Sequence, residues 1–139
     1  SSIVATDKVN GYGNTLAHRD LNASRSDYCL FFNASNGVVA THTTSVPVPS
    51  AASAWYVPSF KEMQLVNENL SKINNSLSTV GGDPVNSEMY WTSTIKGSWY
   101  ASGQSYDHFK YTFNMALNGW HTAQATNKEP YPVRVVLAF

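Results

Sequence analysis

The stretch SFKEMQLVNENLSKINNSLSTVGG, from Ser59 to Gly82, is the one whose reading decides the fold. Ser59 and Glu62 form the S-x-x-E capping pattern, in which each side chain takes up a free backbone N–H of the other residue. Behind the cap, Phe60, Met63, Val66, Leu70, Ile73 and Leu77 recur at intervals of three and four, which marks one apolar face of a helix. Gly81 and Gly82 supply a stop, and Pro58 suits the position before the cap, where its missing N–H costs nothing. The spacing predicts a helix over 59–79. A stripe of this kind belongs to a core, not to a cofactor.

Past Pro84 the period changes from 3.6 to 2. Phe109, Tyr111, Phe113 and Met115 alternate with His108, Lys110, Thr112 and Asn114, as in a half-buried strand. Asn118-Gly119 is a favoured two-residue hairpin turn and returns the chain through Trp120 to Ala125. Val133 to Phe139 alternates again and is expected as a closing strand. Upstream the signals are weaker. Residues 1–10 read as an extended arm leading into a turn at Gly11-Tyr12-Gly13. Asn14 and Thr15 offer the start of a helix reaching to about Phe32, weakened by Asn22, Ser24 and Ser26. Residues 33–54, rich in Ser, Thr, Ala and Pro, read as a long surface loop, with Pro47 and Pro49 excluding regular structure. Helices near 14–32 and 59–79, followed by antiparallel strands after residue 88, give an α+β class and one domain over 1–139.

Composition narrows the partners. Charged residues make up 13% of the chain and the formal net charge is zero, so no basic block exists to neutralise phosphates, and nucleic acid is not expected. Ser, Thr and Asn supply 41 of the 139 residues and do the solubilising instead. The apolar run around Val133-Val136 falls far short of the roughly 20 residues of a spanning helix, so no membrane insertion by this domain is expected. The chain opens at Ser1-Ser2 without an initiator Met, which reads as a processed or truncated start; the missing signal peptide then carries no information about export. Cys29 is the single cysteine. It rules out an internal disulfide and dithiol chemistry, and among Tyr28, Leu30, Phe31 and Phe32 it reads as a shielded, inert thiol.

Four blocks in a fixed order carry a resemblance: Gly13-Asn14-Thr15, Trp55-Tyr56-Val57-Pro58-Ser59, Tyr90-Trp91-Thr92-Ser93-Thr94 and Tyr131-Pro132-Val133-Arg134-Val135-Val136-Leu137-Ala138-Phe139. Together they resemble the C-terminal domain family of bacterial collagen-like adhesins, whose patterns are G-W-Y-L-P-S, Y-W-S-S-T and a terminal V-R-x-V-x-x-F. The similarity spans roughly residues 11–139 and is weakest over 100–130. Ala54 stands where Gly is usual, and Ile95 where an acidic residue often follows. The resemblance implies a C-type-lectin-like fold, of the branch shared with formylglycine-generating enzymes. It also implies a place at the cell surface or outside the cell, on an outer-membrane-anchored or fimbrial bacterial protein. In related lectin-fold proteins the corresponding C-terminal stretch is diversified by mutagenic retroelements. Apart from the family, Trp55 and Trp91 read as core aromatics, and Arg134 as either a holder of loop carbonyls or a ligand contact.

Catalytic patterns are weak. His18, His42, His108 and His121 show neither H-x-x-x-H spacing nor a cysteine pair, so zinc has little support. No D-x-D-x-D-G loop offers a calcium site. Glu129-Pro130-Tyr131 echoes the E-P-N of calcium lectins, but Tyr cannot replace the amide ligand. No metal, no cofactor and no catalytic residue is expected, and the related oxygenase chemistry would need a second thiol.

What remains is recognition. Between Lys96 and Lys128 lie Trp99, Tyr100, Tyr106, His108, Lys110, Trp120 and His121, interleaved with Gly, Ser, Thr, Gln and Asn. Rings give contact area at small entropic cost while short polar groups adapt their hydrogen bonds. The candidate ligand-binding residues are Trp99, Tyr100, Tyr106, His108, Trp120 and His121, against the competing reading that these rings are core. The expected function is a non-enzymatic extracellular adhesin-type module binding a glycan or a host or microbial surface protein. The alternative is a structural tip or stalk module of a bacterial surface fibre.

Overall fold

The computed structural model describes residues 9–24, 34–99, 107–115, 119–124 and 131–139. The arm over 1–8, the Cys29 run, the part of the first helix expected beyond Ser24, Tyr100, Tyr106, Asn118 and the Glu129-Pro130 pair lie outside the described residues. Those described fold as α+β. Helices α1 (Gly11–Ser24), α2 (Val38–Ser45), α3 (Phe60–Glu68) and α4 (Leu70–Thr79) precede strands β1 (Met89–Trp99), β2 (Asp107–Asn114) and β3 (Gly119–Gln124). The strands form an antiparallel sheet of order β1-β2-β3.

The decisive stretch folds as its pattern requires, with one amendment. Ser59 is the N-cap of α3, its hydroxyl accepting from Glu62 N while the Glu62 carboxylate accepts from Ser59 N. Met63 is fully buried with Val85, Tyr90 and Met115, and Phe60, Val66, Leu70, Ile73 and Leu77 pack around that cluster. The expected single helix is interrupted at Asn69, whose φ of −112° and ψ of 18° leave the helical region. Its Nδ2 donates to Leu65 O at 2.9 Å, so the side chain occupies the carbonyl one turn back and competes with the backbone ladder. The stripe survives the interruption because the ladder resumes at once, Ile73 N donating to Asn69 O. At the far end Gly81 takes φ +71°, Gly82 N donates to Leu77 O and Gly81 N to Ser78 O, which is the Schellman stop.

Three boundaries differ from expectation. The first helix starts at Gly11, not at Asn14: Asn10 Oδ1 accepts from Gly13 N at 2.8 Å and its carbonyl from Asn14 N, so Asn10 does the capping and the expected turn is the first helical turn. The expected loop over 33–54 contains α2. This short helix of β-branched residues has no side-chain cap; Thr43 and Thr44 return their hydroxyls to the carbonyls of Val39 and Thr41, hiding any apolar periodicity. The expected closing strand is not a strand. Residues 131–139 run beside 53–56 with one isolated bridge, Tyr56 to Val136, and bonds between Ser53 and Ala138. Its partner is too short for a ladder, since Pro58 and Ser59 turn the chain into α3 immediately afterwards.

The four blocks quoted above meet in one hydrogen-bonded nucleus. Thr15 Oγ1 accepts from Val57 N, and Ser93 N donates to Pro58 O. Thr94 Oγ1 accepts from Phe60 N, covering another free donor of α3. Trp91 N donates to Pro132 O, and the Trp91 ring meets Tyr131 edge-on at 5.4 Å.

Candidate recognition surface

In an antiparallel sheet, residues directly opposite each other share a face, and faces alternate along each strand. The register therefore divides the candidate residues. Phe113 pairs with Tyr90 on β1 and Trp120 on β3, while Asp107 pairs with Trp99. Phe109, Tyr111 and Phe113 hold the same parity, so Trp99 and Trp120 fall in the register row of Tyr90, a member of the buried cluster under α3. Thr112 pairs with Trp91 and His121, Lys110 with Ile95 and Ala123, and His108 with Ser98. His108, Lys110 and His121 thus fall in the other register row, that of Trp91. The register puts the two histidines in one row and the two tryptophans in the other; Tyr100 and Tyr106 are outside the described residues. Register shifts between Trp91 and Ile95 and between Ile95 and Gly97 bulge β1, and bulges re-aim the residues beyond them.

The strongest polar groups elsewhere serve the framework. Glu62 accepts from Ser59 N at 2.7 Å, Gly11 N at 3.1 Å and the Tyr56 hydroxyl at 3.2 Å. Burial, helped by the Glu62 charge and that hydrogen bond, pushes the Tyr56 phenol up to about 12. Burial likewise raises the Tyr90 phenol, which accepts from Asn86 N and donates to Glu88. His18 is fully buried and Nε2–H donates to Ser93 O at 2.9 Å, a core role. Of the two roles open to Arg134, the structure has the loop-holding one: Nη2 donates to Asp83 O at 2.7 Å. Trp91 is buried as expected, whereas Trp55 is only half-buried, its Nε1 donating to Val46 O and its ring edge-on to His42.

Among the described residues, no group of three or more His, Cys, Asp and Glu is placed to hold a metal ion. No described helix is long and apolar enough to cross a membrane. The chain matches no family model, no curated protein and no solved structure.

Sequence reasoning missed the buried face of α1. Gly11, Asn14, Thr15 and His18 are its inward residues, at the i, i+3, i+4, i+7 spacing of a packed helix. The spacing was there to read, but on polar and small residues, where a hydrophobic template finds nothing.

Proposed function

We propose that this chain is a non-enzymatic recognition module of the C-type-lectin-like kind. It works outside a bacterial cell or on its surface, and it holds a glycan or a surface protein on the sheet built from β1, β2 and β3. One observation carries the reading. The four blocks that resemble the collagen-like adhesin domains, scattered from Gly13 to Phe139 in sequence, converge on one nucleus in which Thr15 bonds to Val57, Ser93 to Pro58, Trp91 to Pro132 and Tyr56 to Val136, each pair joining two blocks. Such convergence is what a shared framework requires, and the segment between Lys96 and Lys128 lies outside the four blocks. The commitment of Glu62 and His18 to framework bonds supports a binding role over a catalytic one, as does the single cysteine.

The fibre-module alternative has one observation in its favour. β3 stands at the margin of the sheet, with no strand beyond it among the described residues, and an open edge invites strand addition.

A glycan array and a pull-down of surface proteins, run on the wild type and on His108→Ala/His121→Ala, separate the two. Binding by the wild type that falls at least tenfold in the double variant, at unchanged melting temperature, supports recognition. Binding to neither array nor surface proteins, with concentration-dependent self-association blocked by a charge or Pro at Thr122, would replace it with the fibre module.

A further inference from the structure

A second site lies away from the sheet. Between α1 and α2 is an open cleft of about 420 Å³, a volume within the roughly 300–1,000 Å³ of small-ligand sites. Two helix stripes build its walls: Tyr12, Leu16 and Arg19 descend α1 on one side, and Val39 and Thr43 descend α2 on the other, with Trp55 between them. Small side chains at Ala34, Ala40 and Ala54 line it and take up little of the space, Ala40 being the half-buried one.

The lining specifies a ligand. Most of it is apolar or aromatic, and Arg19 is the one charged residue among the described residues that line it. The Arg19 guanidinium meets Asp20 at 3.6 Å, but both side chains are half or more exposed, so this neighbouring pair holds it weakly. Its planar fork suits two oxygens of a carboxylate. The rings are held in advance, which lowers the ordering cost of binding: Trp55 by its bond to Val46 O and its contact with His42 at 4.5 Å, and Tyr12 by an edge-on contact with Tyr56 at 5.8 Å. Thr43 spends its hydroxyl proton on Val39 O and so offers a ligand no donor.

We infer that this cleft binds a small aromatic carboxylate, its ring against the apolar walls and its charge on Arg19. The inference is independent of the sheet-face reading, and either can fail alone.

Calorimetric titration of the whole chain with phenylacetate and indole-3-acetate, and with the neutral phenylacetamide, tests it. The acids should bind and the amide should bind at least tenfold more weakly. Arg19→Gln should erase that difference between acid and amide, and Ala40→Leu should abolish binding of both by filling the space. Because Arg19 is half-exposed, its variant should melt with the wild type and so keeps the test readable even if Ala40→Leu misfolds. Equal binding of acid and amide to the wild type, unchanged affinity in Arg19→Gln, or no binding of either acid overturns the assignment.

Discussion

Gly11 approaches Glu62 so closely that no side chain fits between the helices they belong to. The Gly11 N–H donates to Glu62 Oε2 at 3.1 Å, and a Cβ at position 11 would collide with that oxygen while standing 2.6 Å from Ser59 N and 2.8 Å from Val57 O. One carboxylate thus serves the first turns of α1 and α3 together, where the helix dipoles favour negative charge. Gly11→Ala should cost about 1–3 kcal/mol, the usual cost of overpacking. Glu62→Ala, which strips three donors of their acceptor, should cost about 3 kcal/mol. Glu62→Gln should cost less than Glu62→Ala, since an amide can accept from the two N–H groups and donate to Tyr56. Urea titrations of the three variants check the order; equal losses for Gln and Ala would mean that the carboxylate does not hold the two turns.

Ser59→Ala tests the other half of the same cap. The Ser59 hydroxyl is buried and accepts from Glu62 N at 3.3 Å. Its loss should lower stability by about 1 kcal/mol, seen as a drop in melting temperature. An unchanged midpoint would show that Glu62 and Thr94 suffice to start α3.

Ser93→Ala should go the other way. Its hydroxyl is buried and has no hydrogen-bond partner among the described residues, while its backbone carbonyl takes the His18 proton and its N–H serves Pro58. Removing an unsatisfied buried hydroxyl while keeping both backbone bonds should leave stability unchanged or raise it by up to about 1 kcal/mol. A loss of more than that in thermal melts would reveal a partner for the hydroxyl.

The Tyr56 phenol predicts an alkaline transition. Its value rises from 10.0 to about 12 in the fold, chiefly through burial and secondarily through Glu62. The folded state therefore keeps a proton that the unfolded state has released above pH 10. Stability linked to Tyr56 is full below pH 10 and is lost as pH climbs towards 12. Tyr56→Phe should lack this part of the alkaline decline. Parallel melting curves from pH 9 to 12 for the two proteins would show that Tyr56 is not its source.

The legible parts were those where hydrophobic period and caps agree. Ser59, Glu62 and the Phe60-to-Leu77 stripe name a helix and its buried face at once, and the alternation from Phe109 to Met115 names a strand. α1 was legible as a helix but not in its start or its inward face, because Asn10 looks like an arm residue and Asn14, Thr15 and His18 look like solvent-facing ones. α2 was hidden by β-branched residues of low helix propensity. The last segment alternates like a strand, yet pairing depends on a partner's length, which sequence pattern does not carry. For the sheet face, the alternation of Trp120 and His121 required that they part company; only the register tells which goes with Tyr90.

That register gives the last prediction. Trp120 stands opposite Phe113 in the row that runs to Tyr90, and His121 stands opposite Thr112 in the row that runs to Trp91. Tyr90 belongs to the buried cluster under α3; if its row stays on the core side as far as β3, Trp120→Ala should act on the fold first, costing about 3–5 kcal/mol as core aromatic truncations do. His121 falls in the other register row, with Lys110 one pair away and His108 beyond it, on the same marginal strand β3. If that face recognises a ligand, His121→Ala should weaken binding by about 2 kcal/mol while the melting temperature stays near that of the wild type. The two variants thus separate a stability residue from a binding residue at adjacent positions. The reverse outcome, a stable Trp120→Ala that no longer binds beside a destabilised His121→Ala, would move the recognition surface to the tryptophan face.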